Sequence, residues 1–194
     1  MEIGDKAVKL ILQFEGWDVP WVWPGGASGI TISRGYDLAW EPFAKDWQGL
    51  LDATTFKRLN AVVGLKGQAA KKVATSLKGI KIPVTAADMV FRNITLPKYI
   101  EQTKLVFPNS DTILSPDGFG ALVSLVYNRG MLVDETDRRR EMLALHKAFV
   151  NGTADKDFVA AQLKGMARLW ADNKSSDGDL HDRRIAEANL VLAT

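Results

Sequence analysis

The chain has 194 residues, 46% of them hydrophobic, enough for one compact core or for two lobes that share one. Its 25 basic and 23 acidic residues leave a formal charge of +2, so it tolerates an anionic surface without being built for one. With no cysteine, disulfides, thiolate metal sites and cysteine nucleophiles are excluded together.

The N-terminal stretch MEIGDKAVKLILQFEGW has a short apolar run interrupted by Lys9 and Gln13 and lacks a small-residue cleavage site. No signal peptide is expected, and no later stretch is long enough to span a bilayer. Residues 5–15 read as an amphipathic helix with Asp5 as cap and Val8, Ile11 and Leu12 on one face. Glu15 falls on that face, which directs a carboxyl toward the buried side of the helix. Glycines and prolines from Gly16 to Gly29 break regular structure. GITIS, residues 29–33, alternates apolar and polar side chains as a half-buried strand does, and Gly35 marks a turn after it.

Beyond Trp40 the periodicity is helical, over about 53–63, 67–77, 85–93, 97–106, 116–128, 136–150, 156–171 and 180–192, with stops such as Gly130 and Gly152. The expected fold is α+β and predominantly α, one domain over residues 1–194. It comprises a small N-terminal lobe with a short β-sheet, about residues 1–60, and a larger helical lobe, about 61–194.

Several chemistries fall away. With only His146 and His181 and no HExxH, no metal site is expected. PGGASG does not follow a strand and lacks the Lys-Ser/Thr ending of a phosphate loop; Ser28 and Ser33 sit in no GxSxG elbow. DRRR at 137–140 is flanked by Asp134, Glu135 and Glu141, which argues against a nucleic-acid partner. Asp179, Asp182 and Glu187 likewise weaken any stable membrane insertion by the last helix.

Glu15 and Asp37 remain. Hydrolysis of a glycosidic bond needs one carboxyl that donates a proton to the leaving oxygen and one ionised group that directs water or stabilises the cation. A carboxyl on an apolar helical face suits the first role, because desolvation favours the neutral form; one on a solvated glycine-rich turn suits the second. Thr31, on the strand between them, can hold a water. Five of the six tryptophans, Trp17, Trp21, Trp23, Trp40 and Trp47, cluster in this part of the chain. Indoles stack on sugar rings, although most of these five are expected in the core of the small lobe.

ILQFEGW followed by GITISRGYDL resembles the N-terminal lobe of phage-type lysozymes, especially the branch of pesticin-like toxin and endolysin muramidases. ALVSLVYNRG, residues 121–130, and GDLHDRRIAEANL, residues 178–190, resemble the central and C-terminal helices of the same group. The resemblance implies a lysozyme-like fold and hydrolysis of the β-1,4 bond between N-acetylmuramic acid and N-acetylglucosamine in peptidoglycan, without metal or organic cofactor. Carried over by position, Glu15 matches the general acid, Thr31 the water-positioning threonine and Asp37 the second carboxylate, with Asp18 as the alternative for that acid. Trp23, Tyr36 and Asn128 are the candidate substrate-binding side chains. Arg183 or Arg184 matches the arginine that pairs with the acid in relatives; the alternative is a solvated helix surface carrying an Arg183–Glu187 pair. Ser33 and Ala39 stand where relatives usually have glycine.

The implied reaction is a single, inverting displacement; carboxyl separations of about 6.5–9.5 Å mark inverting and about 5–5.5 Å retaining enzymes. The implied partners are peptidoglycan glycan strands, and an immunity protein if the chain is a toxin rather than an endolysin. The chain is expected as a monomer made in the cytoplasm that reaches the cell wall or periplasm by phage-mediated release or toxin delivery. Rival readings are a lytic transglycosylase or chitinase-like glycosidase, a catalytically dead peptidoglycan-binding module, and a helical bundle for protein contacts.

Overall fold

The computed structural model describes residues 2–171 and 178–193. In chain order, α1 (Asp5–Phe14) precedes a two-stranded antiparallel sheet of β1 (Thr31–Ile32) and β2 (Tyr36–Asp37). There follow α2 (Phe43–Asp46), α3 (Ala53–Asn60), α4 (Gly67–Ala74) and α5 (Val84–Val90), then α6 (Leu96–Val106), α7 (Ser110–Ile113) and α8 (Pro116–Arg129). The chain ends with α9 (Arg140–Val150), α10 (Lys156–Met166) and α11 (Gly178–Leu192). The fold class is thus α+β and mostly α. Single 3₁₀ turns extend α4 and α10 and precede α9, and the short helices α2 and α7 were not expected from periodicity. None of the described helices is long and apolar enough to cross a membrane.

The chain divides into two compact units, Glu15–Pro97 and Met1–Phe14 with Lys98–Thr194. The boundary therefore falls at Pro97 rather than near residue 60, and α1 groups with the C-terminal helices. The reason lies in what each element buries. In Glu15–Pro97, the hairpin residues Ile30, Ile32, Tyr36 and Leu38 share one apolar cluster with Phe43, Trp47, Leu59, Ala70, Leu77 and Val90, so α3, α4 and α5 complete the hairpin's core. Phe43 stacks between Trp47 and Phe56, with ring centroids 6.2 and 5.1 Å away. Residues 29–33 are buried throughout, the polar positions Thr31 and Ser33 of the alternation included.

In the other unit α8 is the central element. Ser115 caps it by accepting a hydrogen bond from the Gly118 amide at 3.1 Å, Pro116 occupies the first turn, and every residue from Gly118 to Val126 is buried. Gly120 lets α1 approach closely: a Cβ there would overlap that of Ala7. Before α6, residues Phe91–Thr95 form a π turn in which the Leu96 amide donates to the Phe91 carbonyl. Pro97 has no amide to donate to the carbonyl four residues back, so the widened turn sits where an α-helical bond is missing anyway.

Candidate active site

Gly16, at φ +37°, ends α1 at Phe14, one residue earlier than expected, and leaves Glu15 half-buried as the first residue after the helix. Val8 and Ile11 are buried as the spacing marked out, but Leu12 is only half-buried, and Ala7 and Leu10 complete the buried face.

The hairpin fixes the next two residues. Thr31 pairs with Asp37 across the ladder and Ile32 with Tyr36. Residues directly opposite in an antiparallel pair project to the same face, with Cβ atoms about 4.5–5.5 Å apart. Thr31 is buried, and among the described residues its hydroxyl has no hydrogen-bond partner. The Asp37 carboxylate is held by main-chain amides. Gly29 N–H donates to Oδ2 at 3.0 Å and Oδ1 at 3.2 Å, and Ala39 N–H donates to Oδ1 at 2.8 Å. A Cβ at Gly29 would overlap Asp37 Oδ1 and the Ala39 Cβ, so only glycine allows this carboxylate to fold back onto the strand. Sequence reasoning read Gly29 as the last of a run of breakers and the start of the GITIS strand; its place two residues before Thr31 is a signal that could have singled it out.

Asp18, the alternative for the second acid, pins the hairpin turn. Its backbone pairs with Ser33 in both directions, at 2.6 and 2.9 Å, and its Oδ2 accepts the Gly35 amide at 2.9 Å. Burial raises its carboxyl above the usual range, an effect only partly offset by that amide. Ser33, in the turn that Asp18 closes, has φ +53°, a left-handed conformation that favours glycine, and Gly35 follows at φ +72°.

Other expectations need correction. Tyr36 is buried: its hydroxyl donates to Asp46 Oδ2 at 2.7 Å and its ring meets Trp47 edge-on, so it is a core residue and not a substrate contact. Burial, with Asp46 beside it, drives its phenol pKa up. Of the five clustered tryptophans only Trp47 is core; Trp40 is 63% exposed, Trp17 is exposed, and Trp21 and Trp23 are half-buried. Trp23 is oriented by a hydrogen bond from Nε1 to the Ser28 carbonyl at 3.0 Å. Asn128 is exposed in the last turn of α8, in the other unit.

Arg183 and Arg184 are fully buried, which overturns the solvated-helix alternative, although Arg183 does pair with Glu187 at 3.4 Å. Arg184 Nη2 reaches the same Glu187 oxygen at 2.8 Å, and Ser124 donates to it at 2.6 Å. Among the described residues no group of three or more His, Asp or Glu side chains could hold a metal ion.

Within Glu15–Pro97, then, lie the half-buried Glu15, the buried residue Thr31 and the amide-held carboxylate of Asp37, the last two on one hairpin face. A hydroxyl and a carboxylate on adjacent strands can orient one water molecule. No known family model matches the chain, and no curated protein does.

Proposed function

We propose that the chain is a peptidoglycan-degrading muramidase with a lysozyme-like fold. Glu15 protonates the glycosidic oxygen between N-acetylmuramic acid and N-acetylglucosamine while Asp37 and Thr31 place the attacking water on the opposite face of the sugar. The observation that carries the reading is the register of the hairpin, which sets Thr31 directly against Asp37. In a displacement that inverts the anomeric carbon, two groups must aim one water, and a hydroxyl beside an ionised carboxylate does so: the carboxylate accepts a proton of the water as its oxygen attacks. The three main-chain N–H bonds hold the Asp37 oxygens in place without neutralising their charge, as a water-directing group requires. Trp23, with its indole N–H anchored to Ser28, presents a ring face for a sugar, and the enzyme works on cell wall it reaches by release or delivery.

Glu15→Gln keeps the size of the side chain and removes its proton donor, and is expected to abolish release of reducing ends from purified peptidoglycan with the fold intact by circular dichroism. Undiminished lysis by that variant would overturn the assignment. Mass spectrometry of the wild-type digest separates hydrolysis, which yields reducing muramic acid ends, from the anhydro products of a transglycosylase, and proton NMR of the first-formed anomer tests inversion.

A further inference from the structure

The formal charge of +2 conceals a segregation along the chain. Between Asp52 and Asp88 the sequence carries six lysines and Arg58 and not one acidic residue, so the other 18 basic residues stand against all 23 acidic ones. The remainder of the molecule is net acidic, while this stretch is strongly basic.

Structure turns the stretch into a surface. All seven cations are exposed, and among the described residues none makes an ion pair. Arg58 Nη2 donates instead to the Ser76 carbonyl at 2.7 Å, which brings the side chain of α3 against the 3₁₀ turn that ends α4. At the other end of α4 two tryptophans join the lysines. Lys66 Nζ lies 3.0 Å from the centroid of the Trp40 ring and Lys71 Nζ lies 5.7 Å from that of Trp23. The two pairs are neighbours, because Trp23 Nε1 and the Gly67 amide donate to the same Ser28 carbonyl. α4 also starts here with no side-chain cap and no acidic residue in its first turn, so the positive end of its dipole adds to the lysine field.

Unpaired exposed lysines repel one another and oppose compact packing, so a surface that keeps seven such cations free of acids gains only when an anion lies on it. Lysine ammoniums are hydrated point charges, suited to a long, loosely held polyanion rather than to one anion gripped in a fork. The exposed Trp40 ring adds what a sugar face requires and a lipid phosphate does not.

We infer that the face of α3 and α4, with Trp40 and Trp23 at its edge, is a docking surface for an anionic polysaccharide, the carboxylates meeting Lys66, Lys71 and Lys72 and the pyranose rings lying against the indoles. This surface shares Trp23 with the proposed active site but uses none of Glu15, Thr31 and Asp37, and it serves retention on a charged glycan whether or not that glycan is cut.

The test is binding of the whole chain to immobilised hyaluronan, a polymer alternating a carboxylated sugar with an N-acetylhexosamine, at low and high salt. Comparators are a neutral chitin oligosaccharide, an oligonucleotide of matched charge and anionic lipid vesicles. Hyaluronan is expected to bind tightest, more weakly as salt rises. The triple variant Lys66→Glu, Lys71→Glu, Lys72→Glu should lose at least about tenfold in affinity, and its glutamine counterpart a smaller amount in the same direction. Trp40→Ala should lose several-fold at either salt concentration, and Lys147→Glu with Lys164→Glu, in the other unit, should bind as wild type. Unchanged binding by both triple variants overturns the surface. Oligonucleotide or vesicles bound as tightly as hyaluronan overturn the polysaccharide. Because only binding is read, the outcome is independent of the Glu15 experiment.

Discussion

In the unit Glu15–Pro97 the carboxylates of Asp18, Asp37 and Asp52 are held by main-chain amides, of Gly35, of Gly29 with Ala39, and of Thr55 respectively. Neither kind of partner is confined to one unit, since Asp88 pairs with Arg34 at 3.2 Å in the first and amides hold Asp117, Asp134 and Asp155 in the second. What sets the second apart is that its buried acids Glu141 and Glu187 are held by arginine side chains, by Arg168 at 2.7 Å and by Arg184 at 2.8 Å. The difference separates two uses of an acid. An amide fixes the position of a carboxylate and leaves its negative charge standing, which chemistry or a turn can use. An arginine cancels the charge, and the pair then serves only to fill a core that must contain polar atoms. The same division runs through the cations: those of residues 53–87 are exposed and free of acids, whereas Arg183 and Arg184 are fully buried.

The comparison breaks most visibly at Glu187. Removing it by Glu187→Ala takes away the buried carboxylate that Arg183, Arg184 and Ser124 share, and a loss of about 3–5 kcal/mol in unfolding free energy is expected from urea titration. A loss of less than about 1 kcal/mol, the scale of a surface pair, would show that these charges are not a core cluster.

The amide-held side has its counterpart in Gly29→Ala. The added Cβ overlaps Asp37 Oδ1 and Ala39 Cβ, so the carboxylate must swing away from its two amides. A cost of about 1–3 kcal/mol is expected from overpacking, together with a drop in wall lysis of about a hundredfold, because a displacement of one ångström at a reacting group has that effect. Lysis at the wild-type rate in a folded Gly29→Ala protein would remove Asp37 from the proposed mechanism.

The arginine-held Glu141 gives the comparison a pH axis. Burial raises its carboxyl pKa, but the hydrogen bond and charge of Arg168, with a contribution from Arg140, outweigh burial and set it below the usual range. The folded state therefore binds this proton less readily than the unfolded chain. Its stabilisation is complete above the unfolded carboxyl value of about 4.3 and is lost as pH falls through the lower folded value. Glu141→Gln should flatten the acid limb of the stability curve; superimposable wild-type and variant curves below that pH would refute the coupling.

Much of this frame is legible in the primary structure, and its gaps have physical causes. The buried positions Val8 and Ile11 of α1 are found by counting, since a helical face is a local, periodic property, whereas the end of α1 one residue before Glu15 is not. The helices α3 to α6 and α8 to α11 are readable for the same reason, to within their 3₁₀ and π ends. Tyr36 is not, because GYD is the pattern of an exposed turn and nothing local announces that the phenol finds Asp46 ten residues on. Arg183 and Arg184 leave two readings open, a pair with the acid or a solvated surface, and their burial depends on Ser124, 59 positions from Arg183, and on the neighbouring α10. The boundary at Pro97 escapes local reading too, since the choice of α3, α4 and α5 to cover the hairpin is a matter of which apolar faces meet.

The smallest effect tests the turn that aims the hairpin. Ser33 and Asn109, one in each unit, are the non-glycine residues recorded with positive φ, at +53° and +62°. A left-handed residue with a Cβ costs roughly 1–2 kcal/mol, whereas asparagine tolerates the conformation better. Glycine relieves that strain but gains entropy in the unfolded chain worth about 0.5–1 kcal/mol. Ser33→Gly should thus gain up to about 1 kcal/mol, and Asn109→Gly should gain nothing or lose slightly. Ser33 is buried at 3% exposure and its backbone is locked to Asp18 on both sides, so the turn has no freedom to relax by itself. If melting temperature falls in Ser33→Gly, the hydroxyl rather than the backbone is what the turn needs, and the strain assigned to this hairpin is not there.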